Sequence, residues 1–227
     1  MFHSQLMYLC LCKISVMDDK HYLLRLISEG EHQQQDFKYR VSDARKLAKS
    51  VSAFANTDGG RLLIGVRDDG HMSGVRSEEE IYMMHQAAYR YCRPEASIKF
   101  DTYHVEGRTI VIATVPPSDK RPVCALGDDD KSRAFIRIAD ENIVASPVHL
   151  AMWRDSQSLR GAMMTYTDEV RLLLDTLRGS PLTLNQIVRR SAIARPKVIT
   201  LLARLIRFNI VRWHHADQQF LFSLGGE

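Results

Sequence analysis

Cysteine, long apolar runs and metal-binding spacings are scarce in this sequence. Its four cysteines (Cys10, Cys12, Cys92 and Cys124) form no CxxC pair and no His/Cys spacing typical of a zinc site. No apolar run reaches the roughly 18 residues that a membrane-spanning helix needs. Residues 1–16 have no basic n-region and no small-residue cleavage site, so we expect no secretory signal. These absences exclude a disulfide-stapled secreted domain and favour a cytoplasmic protein with no membrane partner.

Basic charge is concentrated in the last third of the chain. Residues 1–159 contain 21 Lys and Arg against 22 Asp and Glu, whereas residues 160–227 contain 10 against 5. The formal net charge of the 227-residue chain is +4, so the C-terminal third carries the entire excess. A basic excess confined to one end predicts an acidic partner for that end, and nucleic acid is favoured over a membrane.

A change of composition near residues 145–165 predicts two domains. The N-terminal block mixes helical spacing with short strand patterns, including a helix over 42–54 with Ser42 as its predicted N-cap and an antiparallel hairpin over 98–115. The C-terminal block is mainly helical and ends in a second hairpin. The predicted organisation has four parts: an upstream tail at 1–16, an α+β domain at 17–147, a connecting helix at 148–165 and a helical domain at 166–227.

Glycines are clustered between Gly59 and Gly74, but they lack the setting of a phosphate-binding loop. A P-loop places its glycines at a helix N-terminus, where free N–H groups meet the phosphate. Gly59 and Gly60 instead follow a predicted helix, and no GxxxxGK[ST] motif occurs in the chain. They are therefore predicted to be turn glycines, and no ATP binding is expected.

Three motifs of the N-terminal block recur together in one known family. They are Glu31-x4-Asp36-Phe37-Lys38, the stretch SAFANTDGG at 52–60, and LLIGVRDDG at 62–70. Between about Glu29 and Pro147 the sequence resembles the Schlafen AlbA-like domain, which is known in bacteria mostly as a DNA-binding domain. The resemblance implies an α+β fold with a mixed sheet. Many prokaryotic relatives carry a winged helix after this domain, and some are described as transcriptional regulators.

The same resemblance implies a set of catalytic carboxylates. In the vertebrate Schlafen nucleases, two carboxylates five residues apart and a third after the Gly-Val strand are implicated in metal-dependent RNA cleavage. Glu31, Asp36 and Asp68 occupy these positions, with Asp36 where glutamate is usual. Three carboxylates can hold Mg²⁺ or Mn²⁺ and activate water. If the strands that carry Asp36 and Asp68 are antiparallel neighbours, the three groups share one end of the sheet.

A structural role for these carboxylates is the alternative. Asp36 then pairs with a neighbouring base such as Lys38, and the Asp68 side chain stabilises the turn at 67–70. In that case no metal or other cofactor is expected. Lys38 and Arg40 are open to two interpretations as well, since they can contact nucleic-acid phosphates or belong to a solvated surface.

The C-terminal block has the element order of a winged helix. A helix at 167–178 is followed by a Gly-Ser-Pro break, a helix at 184–191 with Thr183 as its N-cap, a third helix at 196–208 and a hairpin. Five polar positions of the third helix lie off its apolar stripe, which makes them candidates for contact with the DNA major groove. These positions are Arg195, Lys197, Thr200, Arg204 and Arg207, and Arg212 on the hairpin is a candidate backbone contact.

These patterns support three functional hypotheses. The first is a transcriptional-regulator-like protein that binds double-stranded DNA. The second is a metal-dependent nuclease of Schlafen type, with RNA as substrate and Glu31, Asp36 and Asp68 as catalytic residues. The third is an interaction module in which the winged helix mediates assembly, for example as a homodimer.

Overall fold

The chain divides into two structural units between Val144 and Ala145. The structure is a computed structural model that describes residues 19–75, 78–156 and 164–225. The predicted tail at 1–16 lies outside the described residues. Among the described helices, none combines the length and the apolar character needed to traverse a bilayer.

A mixed four-stranded sheet forms the base of the first unit. Its strands are β1 (Gln35–Lys38), β2 (Gly60–Ile64), β4 (Lys99–Val105) and β5 (Arg108–Val115), in the order β1-β2-β5-β4. β1 and β2 run parallel, with Asp36 opposite Leu62, whereas the other neighbours are antiparallel. The antiparallel pairing, which was the condition for the three carboxylates to share one end of the sheet, is therefore not met. The reason is the helix between β1 and β2, because such a crossover returns the chain in the same direction.

The two faces of this sheet carry different cores, since side chains alternate along a strand. The helices of the unit are α1 (residues 19–28), α2 (Ala44–Asn56) and α3 (Glu78–His85), which continues in a π-helical turn (Gln86–Arg90). Leu62 and Ile64 pack in the cluster that contains the buried face of α2. Leu63 points to the other face and packs with Leu23 and Leu26 of α1.

A second, antiparallel sheet lies against α2. Its strands are β3 (Cys92–Arg93), β6 (Cys124–Leu126), β7 (Ser132–Ile138) and β8 (Glu141–Val144), in that spatial order. Asn56, at the end of α2, is 3% exposed and joins helix to sheet. Its amide nitrogen donates to the carbonyls of Val123 and Phe135 at 2.8 and 2.9 Å, and its Oδ1 accepts from the Val123 N–H at 2.8 Å.

Both ends of α2 depend on particular residues. Asp43, and not Ser42 as expected, caps the helix, and its carboxylate accepts from the N–H groups of Arg45 and Lys46. The extended backbone of Asp43 (φ −142°, ψ 106°) explains this, because it turns the side chain back over the first turn. At the other end, a Cβ at Gly60 would lie 2.3 Å from the Phe54 ring. Gly60 thus permits close packing after the helix.

The second unit combines helices with a three-stranded antiparallel sheet. Its elements are α4 (Pro147–Ser156), α5 (Asp168–Thr176), β9 (Leu182–Thr183), α6 (Leu184–Ser191), α7 (Arg195–Arg207), β10 (Val211–Ala216) and β11 (Gln219–Leu224). β11 lies between β10 and β9. Thr183 caps α6 in a reciprocal capping box with Gln186, which confirms the predicted N-cap. Residues 164–167 are not helical, so the connecting helix does not extend to 165 as predicted.

Candidate nucleic-acid interface

Asp36 lies in a buried cluster of opposite charges. The residue is 4% exposed, and its carboxylate oxygens lie 2.6 Å from Lys38 Nζ and 3.5 Å from an Arg137 guanidinium nitrogen. The Lys38 contact is ionic, since it lacks the alignment of a hydrogen bond. Arg137 is itself 2% exposed and donates to the Gln35 carbonyl at 3.1 Å. Buried charges persist only when they are paired, so Lys38 and Arg137 account for the burial of Asp36.

Glu31 is the second carboxylate of this cluster. Its Oε1 accepts from the Phe37 N–H at 2.7 Å, which fixes the side chain over the start of β1. Burial, and then a hydrogen bond to Asp36, raise the pKa of the Glu31 carboxyl above its ordinary value. Glu31 and Asp36 therefore converge as the sequence predicts, and Lys38 and Arg137 offset their charge.

Asp68 does not join these two carboxylates. It lies in an exposed turn past the end of β2, whereas Asp36 faces Leu62 in the middle of that strand. Within residues 19–75, 78–156 and 164–225, no three His, Cys, Asp or Glu side chains are placed to hold a metal ion. Glu31, Asp36 and Asp68 thus do not form the Mg²⁺ or Mn²⁺ site that the nuclease hypothesis requires.

The turn after β2 is stabilised by a different residue from the expected one. Asp69 Oδ1 accepts from the His71 N–H at 2.9 Å, so Asp69 performs the role that the structural alternative gave to Asp68. The other half of that alternative agrees with the structure, because Asp36 pairs with Lys38.

Arg40 is an exposed cation beside the buried cluster. Its guanidinium lies 4.9 Å from the centre of the Tyr39 ring, and the guanidinium of Arg67 lies 4.8 Å from the same ring. Both distances are within cation–π range. Sequence reasoning missed Arg67, because only the parallel return of β2 brings the residues after it beside those after β1. Lys38 is committed to Asp36, so Arg40 and Arg67 are the better candidates for phosphate contact here.

In the second unit, α7 has the two-sided character predicted from its sequence. The stripe of Val198, Leu201, Leu202 and Leu205 is buried. The predicted contact residues Arg195, Lys197, Thr200, Arg204 and Arg207 are all exposed.

Each of these five polar side chains has a partner within the unit. Arg195 donates to Asn185 Oδ1 at 2.6 Å, and the Thr200 hydroxyl donates to the Pro196 carbonyl at 3.0 Å. Lys197, Arg204 and Arg207 each face a carboxylate from a neighbouring helix. The amide and carboxylate oxygens present hydrogen-bond acceptors to the cations, as nucleic-acid phosphates do.

Three further arginines of the second unit have no such partner. Arg212 on β10 is exposed and has no ion-pair partner in the described part of the chain, and the same holds for Arg189 and Arg190 at the end of α6. Ala192, with φ 52°, ends α6 in a left-handed turn, and α7 begins three residues later at Arg195. Arg189 and Arg190 were not identified from the sequence as candidate contacts. A signal was present, because two arginines directly after the apolar pair Ile187 and Val188 indicate the solvent-exposed face of α6.

Comparison with solved structures finds distant similarities. The DIP2311 protein from Corynebacterium diphtheriae is 19% identical with a TM-score of 0.44, over 72% of this chain and 39% of that one. The N-terminal domain of a RecG-related protein from Nitrosomonas europaea is 23% identical with a TM-score of 0.38, over 51% of this chain and 88% of that one. The present chain thus spans well under half of the Corynebacterium structure. No curated protein sequence matches the chain.

A comparison with protein families gives a clearer result. The family model described as Schlafen, AlbA_2 matches residues 31–146, which is just over half of the chain. This interval includes every strand of the two sheets in the first unit, together with the Glu31–Asp36 cluster and the exposed Arg40 and Arg67. The chain therefore belongs to the Schlafen AlbA_2 family.

Proposed function

We propose that this chain binds nucleic acid, and that its second unit is a winged helix that binds double-stranded DNA as a transcriptional regulator does. Membership of the Schlafen AlbA_2 family supports the first statement. The observation that carries the second is the order α5-β9-α6-α7-β10-β11, in which β9 pairs with the terminal hairpin. This order is typical of a winged helix and supports α7 as the recognition helix and the hairpin as the wing.

The distribution of cations agrees with this arrangement. Lys197, Thr200 and Arg204 recur at helical spacing on the exposed side of α7, where they can enter a major groove. Arg189 and Arg190 lie near the start of α7, and Arg212 lies on the wing. Because phosphates flank the groove on both sides, such cations fix the orientation of the protein without selecting a sequence.

Fluorescence anisotropy of the full chain with a labelled duplex tests the proposal. We expect salt-sensitive binding that weakens about tenfold in the Arg189→Ala/Arg190→Ala variant, because two phosphate contacts are lost. The matched control is Arg171→Ala/Arg178→Ala, which removes the same charge from α5 and the residues just after it, where each arginine pairs with an aspartate of α5. Equal affinity in the two variants contradicts a contact at the α6–α7 turn.

A second variant tests α7 itself. Replacement of Arg195, Lys197 and Arg204 by alanine removes the recognition residues, and we expect the preference for one duplex sequence over another to fall by about 1–3 kcal/mol per lost base contact. Unaltered affinity and preference in this variant exclude α7 as the recognition helix. Stronger binding to single-stranded RNA than to duplex DNA contradicts the proposed choice of DNA.

A further inference from the structure

Helix α4 packs along one side of α7. The two helices form a shallow groove lined by Ala151, Arg154 and Asp155 of α4 and by Ile199 and Ala203 of α7, among others. Ala203 lies outside the apolar stripe of α7 and is nevertheless 2% exposed. The side of α7 next to its predicted DNA-contact positions is therefore covered by protein.

The beginning of α4 is anchored on the wing. Val148 is fully buried and His149 is 3% exposed. The His149 ring lies 4.5 Å from the Trp213 ring and 4.7 Å from the Phe220 ring, measured between ring centres. α4 thus contacts both α7 and the hairpin, the two parts that the proposed function assigns to DNA.

The end of α4 places a carboxylate against the cations of α7. Arg207 donates to Asp155 Oδ2 at 2.9 Å and to the Asp155 backbone carbonyl at 2.8 Å, and Arg204 Nε lies 3.8 Å from Oδ1. From the other flank, Glu169 of α5 lies 2.9 Å from Lys197 Nζ. Three of the four cations of α7 are therefore held by a carboxylate from a neighbouring helix.

We propose that Asp155 and Glu169 compete with DNA phosphate for Lys197, Arg204 and Arg207, so that the unbound protein holds its own recognition helix in a neutralised state. This inference rests on the proposed function, since it concerns the same surface. All of these side chains are between 26% and 49% exposed. Ion pairs of such exposure are weak, so a polyanion can displace them. The position of α4 then sets how readily DNA gains access to α7.

The competition has a signature in salt dependence. A cation released from a protein carboxylate leaves that carboxylate to attract a counterion of its own, which cancels part of the counterion release from DNA. Without the carboxylates, the slope of log affinity against log salt concentration becomes steeper, by at most about one for each carboxylate removed. A variant that raises the affinity only by removing a negative charge adds no phosphate contact, so its salt slope stays at the wild-type value.

Anisotropy of the full chain with a labelled 30-base-pair duplex compares the wild type with Asp155→Asn, Glu169→Gln and Asp175→Asn. Asp175 is a matched control, because it lies in the same unit and pairs with Arg178 instead of α7. At low salt we expect Asp155→Asn and Glu169→Gln to bind about fivefold more tightly than the wild type, with steeper salt slopes. Asp175→Asn is expected to change the affinity by less than about twofold, because it adds no phosphate contact. In an Arg204→Gln/Arg207→Gln background, Asp155→Asn should give no gain.

The outcomes separate this inference from the proposed function. If the wild type binds DNA, and Asp155→Asn and Glu169→Gln bind no more tightly than the control Asp175→Asn, the carboxylates do not compete with phosphate. The DNA-binding function stands in that case. If neither the wild type nor any variant binds, both proposals fail. Tryptophan fluorescence checks that α4 stays docked, since Trp153 and Trp213 both lie beside His149. Glu169→Gln on α5 keeps the test decisive if Asp155→Asn loosens α4.

Discussion

The two units contain the same kind of ion pair in opposite environments. In the first unit, the side chains of Arg137 and Asp36 are 1% and 6% exposed, whereas those of Arg207 and Asp155 in the second are 34% and 26% exposed. A buried pair is strongly destabilised by removal of one partner, because the remaining charge has neither water nor a counter-charge. An exposed pair contributes little and exchanges partners readily. Burial therefore makes the first pair structural, whereas the exposed second pair can exchange partners.

Breaking the buried pair should have the largest effect. In Arg137→Met, the carboxylate of Asp36 keeps Lys38 as its one positively charged partner among the described residues, and we expect the free energy of unfolding of the first unit to fall by about 3–5 kcal/mol. Urea denaturation followed by circular dichroism measures this loss. Arg133→Met is the matched control, since Arg133 on β7 forms an exposed ion pair with Asp129, four residues earlier in the chain. A loss no greater than in this control refutes the structural role of Arg137.

His149 provides a buried titratable group in the second unit. Burial lowers the pKa of its imidazole from 6.5 to about 4. Between these values the unfolded chain is protonated and the folded one is not, so stability is present above pH 6.5 and is lost as the pH falls to about 4. The expected loss is about 3 kcal/mol of unfolding free energy.

Tryptophan fluorescence during urea unfolding measures this effect. Both tryptophans of the chain lie close to the His149 ring, so the signal reports the second unit. The His149→Phe variant keeps an aromatic ring between Trp213 and Phe220 and should lose stability less steeply on acidification. The exposed His214 serves as control, and a His214→Gln variant that flattens the profile as much as His149→Phe contradicts the assignment.

The exposed pair of α4 and α7 should respond to DNA more than to denaturant. We expect Asp155→Asn to change the unfolding free energy of the second unit by less than about 1 kcal/mol, with a difference that shrinks as salt rises. The same variant should bind DNA more tightly. A large stability loss that persists at high salt places this pair in the same class as Arg137 and Asp36.

Asp68 should have the smallest effect. It is exposed and lies apart from the Glu31–Asp36 cluster, so Asp68→Ala should leave the melting temperature and any Mn²⁺-dependent cleavage of structured RNA at the wild-type level. A fluorescent RNA hairpin incubated with Mn²⁺ and each protein provides the measurement. If the wild type cleaves the RNA and Asp68→Ala does not, this result supports the three-carboxylate hypothesis.

Features decided by neighbours in the chain could be predicted from the sequence. The hairpin of β4 and β5 turns at Glu106 and Gly107, where both residues have positive φ, and Thr183 caps α6. The buried stripe of α7 follows directly from helical spacing. Within the candidate site, the sequence predicted that Glu31 and Asp36 lie close together, because Glu31 sits in the turn just before β1 and Asp36 lies on β1.

Features that depend on distant segments could not be predicted. Arg137 reaches Asp36 across 101 positions of sequence, and Arg207 reaches Asp155 across 52. The sequence around Asp68 does not show that β2 pairs parallel to β1. It is this pairing that leaves Asp68 outside the Glu31–Asp36 cluster. An acidic or basic residue has many partners of suitable chemistry in the chain, and sequence alone does not choose among them.

By itself, the sequence determined the local elements, the family motifs and the basic excess of the last third, since each depends on residue type and short-range spacing. The tertiary structure decided which charges are buried and which carboxylate faces which cation. Burial and long-range pairing are set by strand direction and helix packing, and these follow from the whole core. For this reason the cations of α7 could be located from the sequence, whereas their ion pairs with Asp155 and Glu169 became visible only in the folded chain.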